Sequence, residues 1–147
     1  MTHTRNEIFI AAPTERIFPY ASATERWPEY LPHYRYVNVL ERHGDARVVE
    51  MSAWRDVFPV RWTAQQWNDP KTPSIRFHHI AGWTKGMDVE WSFEPRAGGT
   101  LVSIEHELDF QFPVAADFLG RYVVGGFFVH DIAGKTLARI KALAERA

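Results

Sequence analysis

The hydrophobic positions near the end of the chain follow the period of an α-helix. Between residues 113 and 147, one stripe recurs at steps of four and three, formed by Leu119, Val123, Gly126, His130, Ala133, Leu137, Ile140 and Ala144. This spacing predicts a long helix with one face buried against another element. His130 stands in that stripe where a plain core helix would carry an apolar residue, so it is a candidate site residue.

The first third of the chain predicts one strand and two short helices. Residues 7–12 alternate and are followed by Pro13, which is typical of a short strand. Thr14 is the predicted N-cap of a first helix. Residues 24–30 predict a second helix, with Pro28 near its start, where the missing N–H is not needed.

Residues 34–110 change to the alternation of β-strands. Strands are predicted at 34–41, 47–55, 60–67, 75–80, 87–93 and 101–110, separated by short turns rich in Gly, Pro and Asp. Consecutive strands joined in this way form an antiparallel sheet. We therefore predict one α+β domain over residues 1–147. We expect a grip-like arrangement, in which a curved antiparallel sheet of about seven strands is wrapped round the long C-terminal helix, with the two short helices after the first strand.

The composition narrows the classes of function. The 147 residues carry a net charge of about −1 with no block of like charge, which argues against nucleic acid and against a basic membrane-binding patch. There is no cysteine and no apolar run of membrane-spanning length, so we expect a cytoplasmic protein without an integral membrane segment. Six Trp and ten Phe exceed the needs of a core this size. They favour a domain that encloses a hydrophobic small molecule, although a Trp-rich core is the alternative.

Several short motifs resemble those of a known superfamily. They are Ile8 and Ile10 before Ala12-Pro13, then Arg16-Ile17-Phe18, and the sequence ERWPEY at residues 25–30. With these motifs the chain resembles the START-like helix-grip (SRPBCC) superfamily. Trp27-Pro28 followed by Tyr34 is most similar to its polyketide cyclase/aromatase-like branch, which is related to coenzyme Q-binding START-domain proteins.

The resemblance implies two main alternative functions, and a stress-type ligand sensor with a protein partner is a third option. The first is an enzyme that closes or aromatises rings in a polyketide-like substrate. The second is a non-catalytic binder or carrier of a quinone or lipid. Cyclases of this branch carry a cavity arginine on the strand of Trp62, and the matching position here is Gln66, which has no charge to stabilise an enolate. The Trp27-Pro28 pair favours the enzyme, whereas the missing arginine favours the carrier.

Histidines are the candidate acid–base groups. His106 lies between Ile104 and Leu108 on the inward face of its predicted strand, where desolvation would keep it neutral near pH 7. We predict His106 and His130 as catalytic, and a core histidine bonded to a carbonyl is the alternative. The inward histidines lie on separate elements at no spacing typical of a metal site, so neither a metal nor another cofactor is predicted.

The predicted ligand contacts are mostly aromatic side chains on inward faces, and each could equally be ordinary core. The set is Trp27, Tyr34, Trp62, Gln66, Phe77, His79, Trp83, Met87, Trp91, Phe110, Phe118 and Phe127. Trp83 lies between Gly82 and Gly86 and is predicted to be part of a lid at the entrance. The expected partner is a hydrophobic small molecule, and the expected assembly is a monomer or homodimer.

Overall fold

The computed structural model describes residues 2–55, 57–82, 84–108 and 115–146. For residues 2, 55, 108 and 115–128 it describes the backbone but not the side chains. The strands are β1 (Thr2–Ile10), β2 (Tyr34–His43), β3 (Ala46–Arg55), β4 (Phe58–Asp69), β5 (Ser74–Gly82), β6 (Asp88–Arg96) and β7 (Gly99–Leu108). The helices are α1 (Thr14–Ser22), α2 (Trp27–Tyr30) and α3 (Ala115–Arg146), and a 3₁₀ turn at Thr24–Arg26 precedes α2.

The strands form one antiparallel sheet in the order β1-β7-β6-β5-β4-β3-β2. Each strand from β2 to β7 pairs with its neighbour in sequence, whereas β1 pairs with β7 along its whole length. The α+β helix-grip prediction of a curved sheet of about seven strands and a C-terminal helix is therefore confirmed. β1 begins five residues earlier than predicted, because backbone pairing with β7 continues through a polar stretch that shows no apolar pattern.

Helix α3 lies against the sheet and packs most closely on β1. Its buried positions are Val129, Ile132, Ala133, Thr136, Leu137, Ile140 and Ala144. The prediction that His130 lies on this stripe is wrong, since its side chain is exposed. From Ala133 the buried stripe continues to Val129, about one helical turn earlier in the chain. The residue after Val129, His130, therefore points to solvent. Leu119, Val123 and Gly126 lie outside the described side chains.

The short helices cover one end of the sheet. Pro13, not Thr14, is the N-cap of α1, and the Thr14 hydroxyl instead contacts Thr100 Oγ1 at 3.1 Å. Ile17 and Leu31 are fully buried and attach this layer to the core. Among the described residues, none of the helices is both long and apolar enough to cross a membrane.

Candidate functional site

A cavity of about 60 Å³ lies between α3 and the inner face of the sheet. Eight of the predicted site residues line it: Trp27, Tyr34, Trp62, Phe77, His79, Met87, Trp91 and His106. They meet there because inward residues of adjacent strands stand side by side, and α2 places Trp27 over them. A cavity of this size holds a few water molecules and is smaller than the ~300–1,000 Å³ typical of ligand pockets. A larger ligand would therefore require the walls to move apart.

One wall of the cavity is a continuous group of aromatic rings. The Trp27 ring lies 4.9 Å from Tyr34 and 6.0 Å from Trp91, and Tyr34 lies 6.1 Å from Trp62. The Trp27 indole N–H donates to the carbonyl of Tyr20 at 3.0 Å, so its ring is held in place. Such a wall offers flat apolar faces on which a planar ring system can stack.

Thr136 and His33 form a hydrogen-bonded pair beside Tyr34. Thr136 Oγ1 donates to the Ile132 carbonyl at 2.8 Å, so it can only accept from its other partners. One such partner is His33 Nε2 at 2.9 Å, and the Tyr34 hydroxyl lies nearby. His33 must then carry its proton on Nε2, and burial lowers its pKa to about 4. Burial also raises the pKa of Tyr34, so both groups are neutral at pH 7.

His79 fixes the turn between β5 and β6 to the cavity wall. Its Nδ1 lies 2.6 Å from Thr84 Oγ1, and its backbone carbonyl accepts from Gly86 N at 2.8 Å. The ring stacks on Trp62 at 5.8 Å with an interplanar angle of 10°. Burial, with smaller contributions from His106 and His78, lowers the pKa of His79 to about 3. His79 is therefore a neutral, fully packed part of the cavity wall.

His106 lies on β7 and borders the cavity, as predicted. Its Nδ1 is fully removed from solvent and has no hydrogen-bond partner among the described residues. Burial, with smaller effects of His130 and His3, lowers the pKa of His106 well below its usual value. The structure thus brings His130 within electrostatic reach of His106, although His130 itself is exposed and is not among the described cavity-lining residues.

Gln66 is buried on the inward face of β4, but it is not among the described cavity-lining residues. Its Oε1 accepts from Thr24 Oγ1 at 2.7 Å, and its Nε2 donates to the Ser22 carbonyl at 2.9 Å and to Asn68 Oδ1 at 2.8 Å. Both amide protons are therefore used. The predicted contact of Gln66 with a ligand is replaced by a structural contact with the α1–α2 connection.

Four predicted contacts, Trp83, Phe110, Phe118 and Phe127, lie outside the described side chains. Within the described part of the chain, no group of three or more His, Asp or Glu side chains could hold a metal ion. The described site is therefore an aromatic cavity with neutral polar groups at its border.

The family model described as polyketide cyclase/dehydrase and lipid transport matches residues 10–125. The chain belongs to this family. A Streptomyces halstedii protein, provisionally named a polyketide cyclase, is 30% identical over 105 residues, covering 68% of this chain and 94% of that protein. These findings support the predicted polyketide cyclase-like branch.

Solved structures with low identity show the same fold. The Zhui aromatase/cyclase from a Streptomyces species superposes with a TM-score of 0.87 at 17% identity, covering 99% of this chain and 94% of that chain. A START superfamily protein from Mycobacterium smegmatis gives a TM-score of 0.72 at 17% identity, covering 98% and 97%. This polyketide cyclase/dehydrase family member therefore has the START-like architecture.

Half of the described residues that line the cavity of this family member were not predicted from the sequence to be site residues. They are Met51, Thr84, Val89, Ile104, Val129, Ile132, Ala133 and Thr136. The apolar ones look like any inward strand or helix position. Thr136 carries a signal that could have been found, because it is a polar residue between Ala133 and Leu137 on the buried stripe. A polar group there needs a partner, which His33 supplies.

Proposed function

We propose that this protein binds a hydrophobic, aromatic or polyketide-like molecule in the cavity between the sheet and α3 and promotes its cyclisation or aromatisation. The observation that carries this proposal is the pairing of an aromatic wall with the unpartnered Nδ1 of neutral His106. Aromatic rings stack on a planar ligand, and an imidazole that is neutral at pH 7 can accept a proton.

In this proposal, His106 transfers a proton to and from the ligand inside the cavity. It would take a proton from a carbon that lies between two carbonyl groups of the bound chain. The resulting enolate attacks a second carbonyl of the same chain and closes a ring, and His106 returns the proton to the alkoxide that forms. Water is then lost when His106 takes the second proton from the same carbon, the C=C bond forms, and the proton passes to the departing hydroxyl. The cavity contributes by holding both carbons close together, which is a large part of the rate in intramolecular reactions.

A second function is favoured by the chemistry of the cavity wall. Among the described residues that line it, none is a lysine or arginine, and Gln66 is bonded to protein groups. An enolate would have no described cation to stabilise it. This observation favours a non-catalytic carrier of a quinone or lipid, in which the histidines provide polarity only.

Intrinsic tryptophan fluorescence tests both functions, because Trp27, Trp62 and Trp91 border the cavity. The protein is titrated with a short-chain ubiquinone analogue and with a hydroxylated polycyclic aromatic. Preference for the aromatic, followed by turnover that is lost in His106→Ala while binding persists, supports the cyclase. Preference for the quinone without chemical change supports the carrier. Saturation by neither compound would overturn the proposed binding function.

A further inference from the structure

We propose that Thr4, Asn6 and His106 form a polar subsite beside the cavity that binds a hydroxyl group of the ligand. This inference rests on the proposed function and adds the polar chemistry that the ligand should carry. It depends on unpartnered atoms on two adjacent strands, β1 and β7.

Three buried side-chain atoms in this region lack a hydrogen-bond partner among the described residues. They are Thr4 Oγ1, Asn6 Oδ1 and His106 Nδ1. Native proteins leave few buried polar groups without a partner, and each such group suggests a missing water, ion or ligand. Three such atoms in one part of the sheet indicate a site that binds a polar group of a ligand.

The strand register places the three side chains together. Thr4 is the direct partner of His106 across the β1–β7 ladder, and Asn6 is the partner of Ile104. Residues two apart on a strand share a face, and directly opposed side chains have Cβ atoms ~4.5–5.5 Å apart. His106 also lines the cavity, whereas Thr4 and Asn6 are not among its described lining residues, so the subsite lies at the edge of the cavity.

The hydrogen-bonding capacity of Asn6 selects the kind of group that fits. Asn6 Nδ2 donates to the carbonyl of His130 at 3.2 Å, which fixes the orientation of the amide. Its Oδ1 can therefore only accept, and it requires a donor. Thr4 Oγ1 can both donate and accept, and neutral His106 Nδ1 does one or the other according to its tautomer.

A hydroxyl group satisfies this set better than a carbonyl. Its proton can be donated to Asn6, while its oxygen accepts from Thr4 or His106. A ketone or quinone oxygen can accept only, so it would leave Asn6 Oδ1 unpaired, which is unfavourable in a buried site. The ligand class is therefore a phenol or enol rather than a purely keto compound.

The test compares 1-naphthol, naphthalene and 1,4-naphthoquinone, which share a ring system and differ in polar groups. Binding to the full chain is followed by NMR shifts of the tryptophan indole N–H signals. We expect 1-naphthol to bind about three- to tenfold more tightly than either analogue, the effect of one net hydrogen bond. Thr4→Val, which removes the hydroxyl and keeps the shape, should reduce that preference. Thr4→Ser, which keeps the hydroxyl, should retain it.

A second measurement examines the protein without ligand. If Thr4 Oγ1 is free for the ligand, Thr4→Val should leave the urea midpoint unchanged or raise it, because no existing bond is lost and a buried hydroxyl without a partner is removed. A clear fall would show that the hydroxyl has a permanent partner, and would overturn the subsite. Equal binding of the three compounds, or an unchanged preference in Thr4→Val, would overturn the subsite while the proposed function stands. No binding of any compound to the unsubstituted protein would overturn the proposed function, and the subsite with it.

Discussion

The hydroxyl of Thr24 donates a 2.7 Å hydrogen bond to the side-chain carbonyl of Gln66, and both residues are fully buried. This contact joins the 3₁₀ turn before α2 to strand β4. The second half of the same amide holds the end of α1 through the Ser22 carbonyl at 2.9 Å. Gln66 thus fixes the short helices to the sheet, and Trp27 of α2 is placed over the cavity as a consequence.

Replacing Gln66 should therefore affect stability far more than ligand affinity at a rigid site. Gln66→Leu removes three hydrogen bonds. It leaves the buried Thr24 hydroxyl without its acceptor, and the partly buried Ser22 O and Asn68 Oδ1 without their donor. We expect the free energy of unfolding to fall by about 2–4 kcal/mol, measured by urea denaturation. Gln65→Leu, at the next and partly exposed position of β4, is the matched control and should change it by less than about 0.5 kcal/mol. Equal effects of the two substitutions would contradict a structural role for Gln66.

Acid should destabilise the protein through its buried histidines. His79 has a pKa of about 3 in the folded protein, below its usual 6.5, because burial disfavours its charged form. The unfolded state therefore binds more protons below pH 6.5, and stability present above that pH is lost as the pH falls. One such histidine contributes up to about 1.4 kcal/mol per pH unit.

The substitution that checks this is His79→Asn, which can keep a hydrogen bond to Thr84 but cannot titrate. Between pH 6.5 and 5, its urea stability should depend less steeply on pH than that of the unsubstituted protein. His43, an exposed histidine near the β2–β3 turn, provides the control His43→Asn. An unchanged slope in His79→Asn would show that His79 does not contribute to the acid sensitivity.

The overall fold could be predicted because it depends on periods that are visible in the sequence. Alternation along β6 at Val89, Trp91 and Phe93 specifies a face, and all three are buried. His79 could be placed inward for the same reason, since it shares that alternation with Ile75 and Phe77. The two-residue period of side chains along a strand was sufficient to predict that these residues point inward.

The partners of polar groups could not be predicted, because they come from distant parts of the chain. Gln66 occupies the inward position expected of a ligand contact, yet two of its three partners, Thr24 and Ser22, lie about 40 residues earlier. The face of a helix can also be ambiguous in the sequence. Both Val129 and His130 lie three or four residues from Gly126 and from Ala133, so either could have been the buried position. Thr136 stands out in the sequence as a polar residue on the buried stripe, but its partner His33, 103 residues away in the chain, could not be predicted.

Thr136 should stabilise the cavity through its hydroxyl rather than its methyl group. Thr136→Val keeps the shape but leaves the His33 ring N–H without its acceptor, at a cost of about 1–3 kcal/mol in the free energy of unfolding. Thr136→Ser retains the oxygen and should recover most of this loss. Urea denaturation of the three proteins measures the difference. A Val variant as stable as the Ser variant would show that the shared hydroxyl contributes little.

The turn next to His79 offers a comparison between two glycines of similar backbone conformation. Gly82 and Gly86 have φ values of +96° and +93°. A Cβ at Gly82 would lie 2.4 Å from the Arg61 carbonyl oxygen and 2.7 Å from Trp62 Cα, whereas one at Gly86 would meet nothing within 4 Å. Both alanine variants carry the strain of a positive φ, but only Gly82→Ala forces strands β4 and β5 apart.

We expect Gly86→Ala to lower the free energy of unfolding by about 1 kcal/mol, and Gly82→Ala to lower it by a further ~1–3 kcal/mol. The larger effect should reach the cavity, because Gly82 pairs with Trp62 in the ladder and Trp62 stacks on His79. Urea denaturation measures the stabilities, and tryptophan fluorescence of the folded variants reports on the cavity wall. If the two variants are equally stable and have the same spectrum, the close contact between Gly82 and β4 does not constrain the turn.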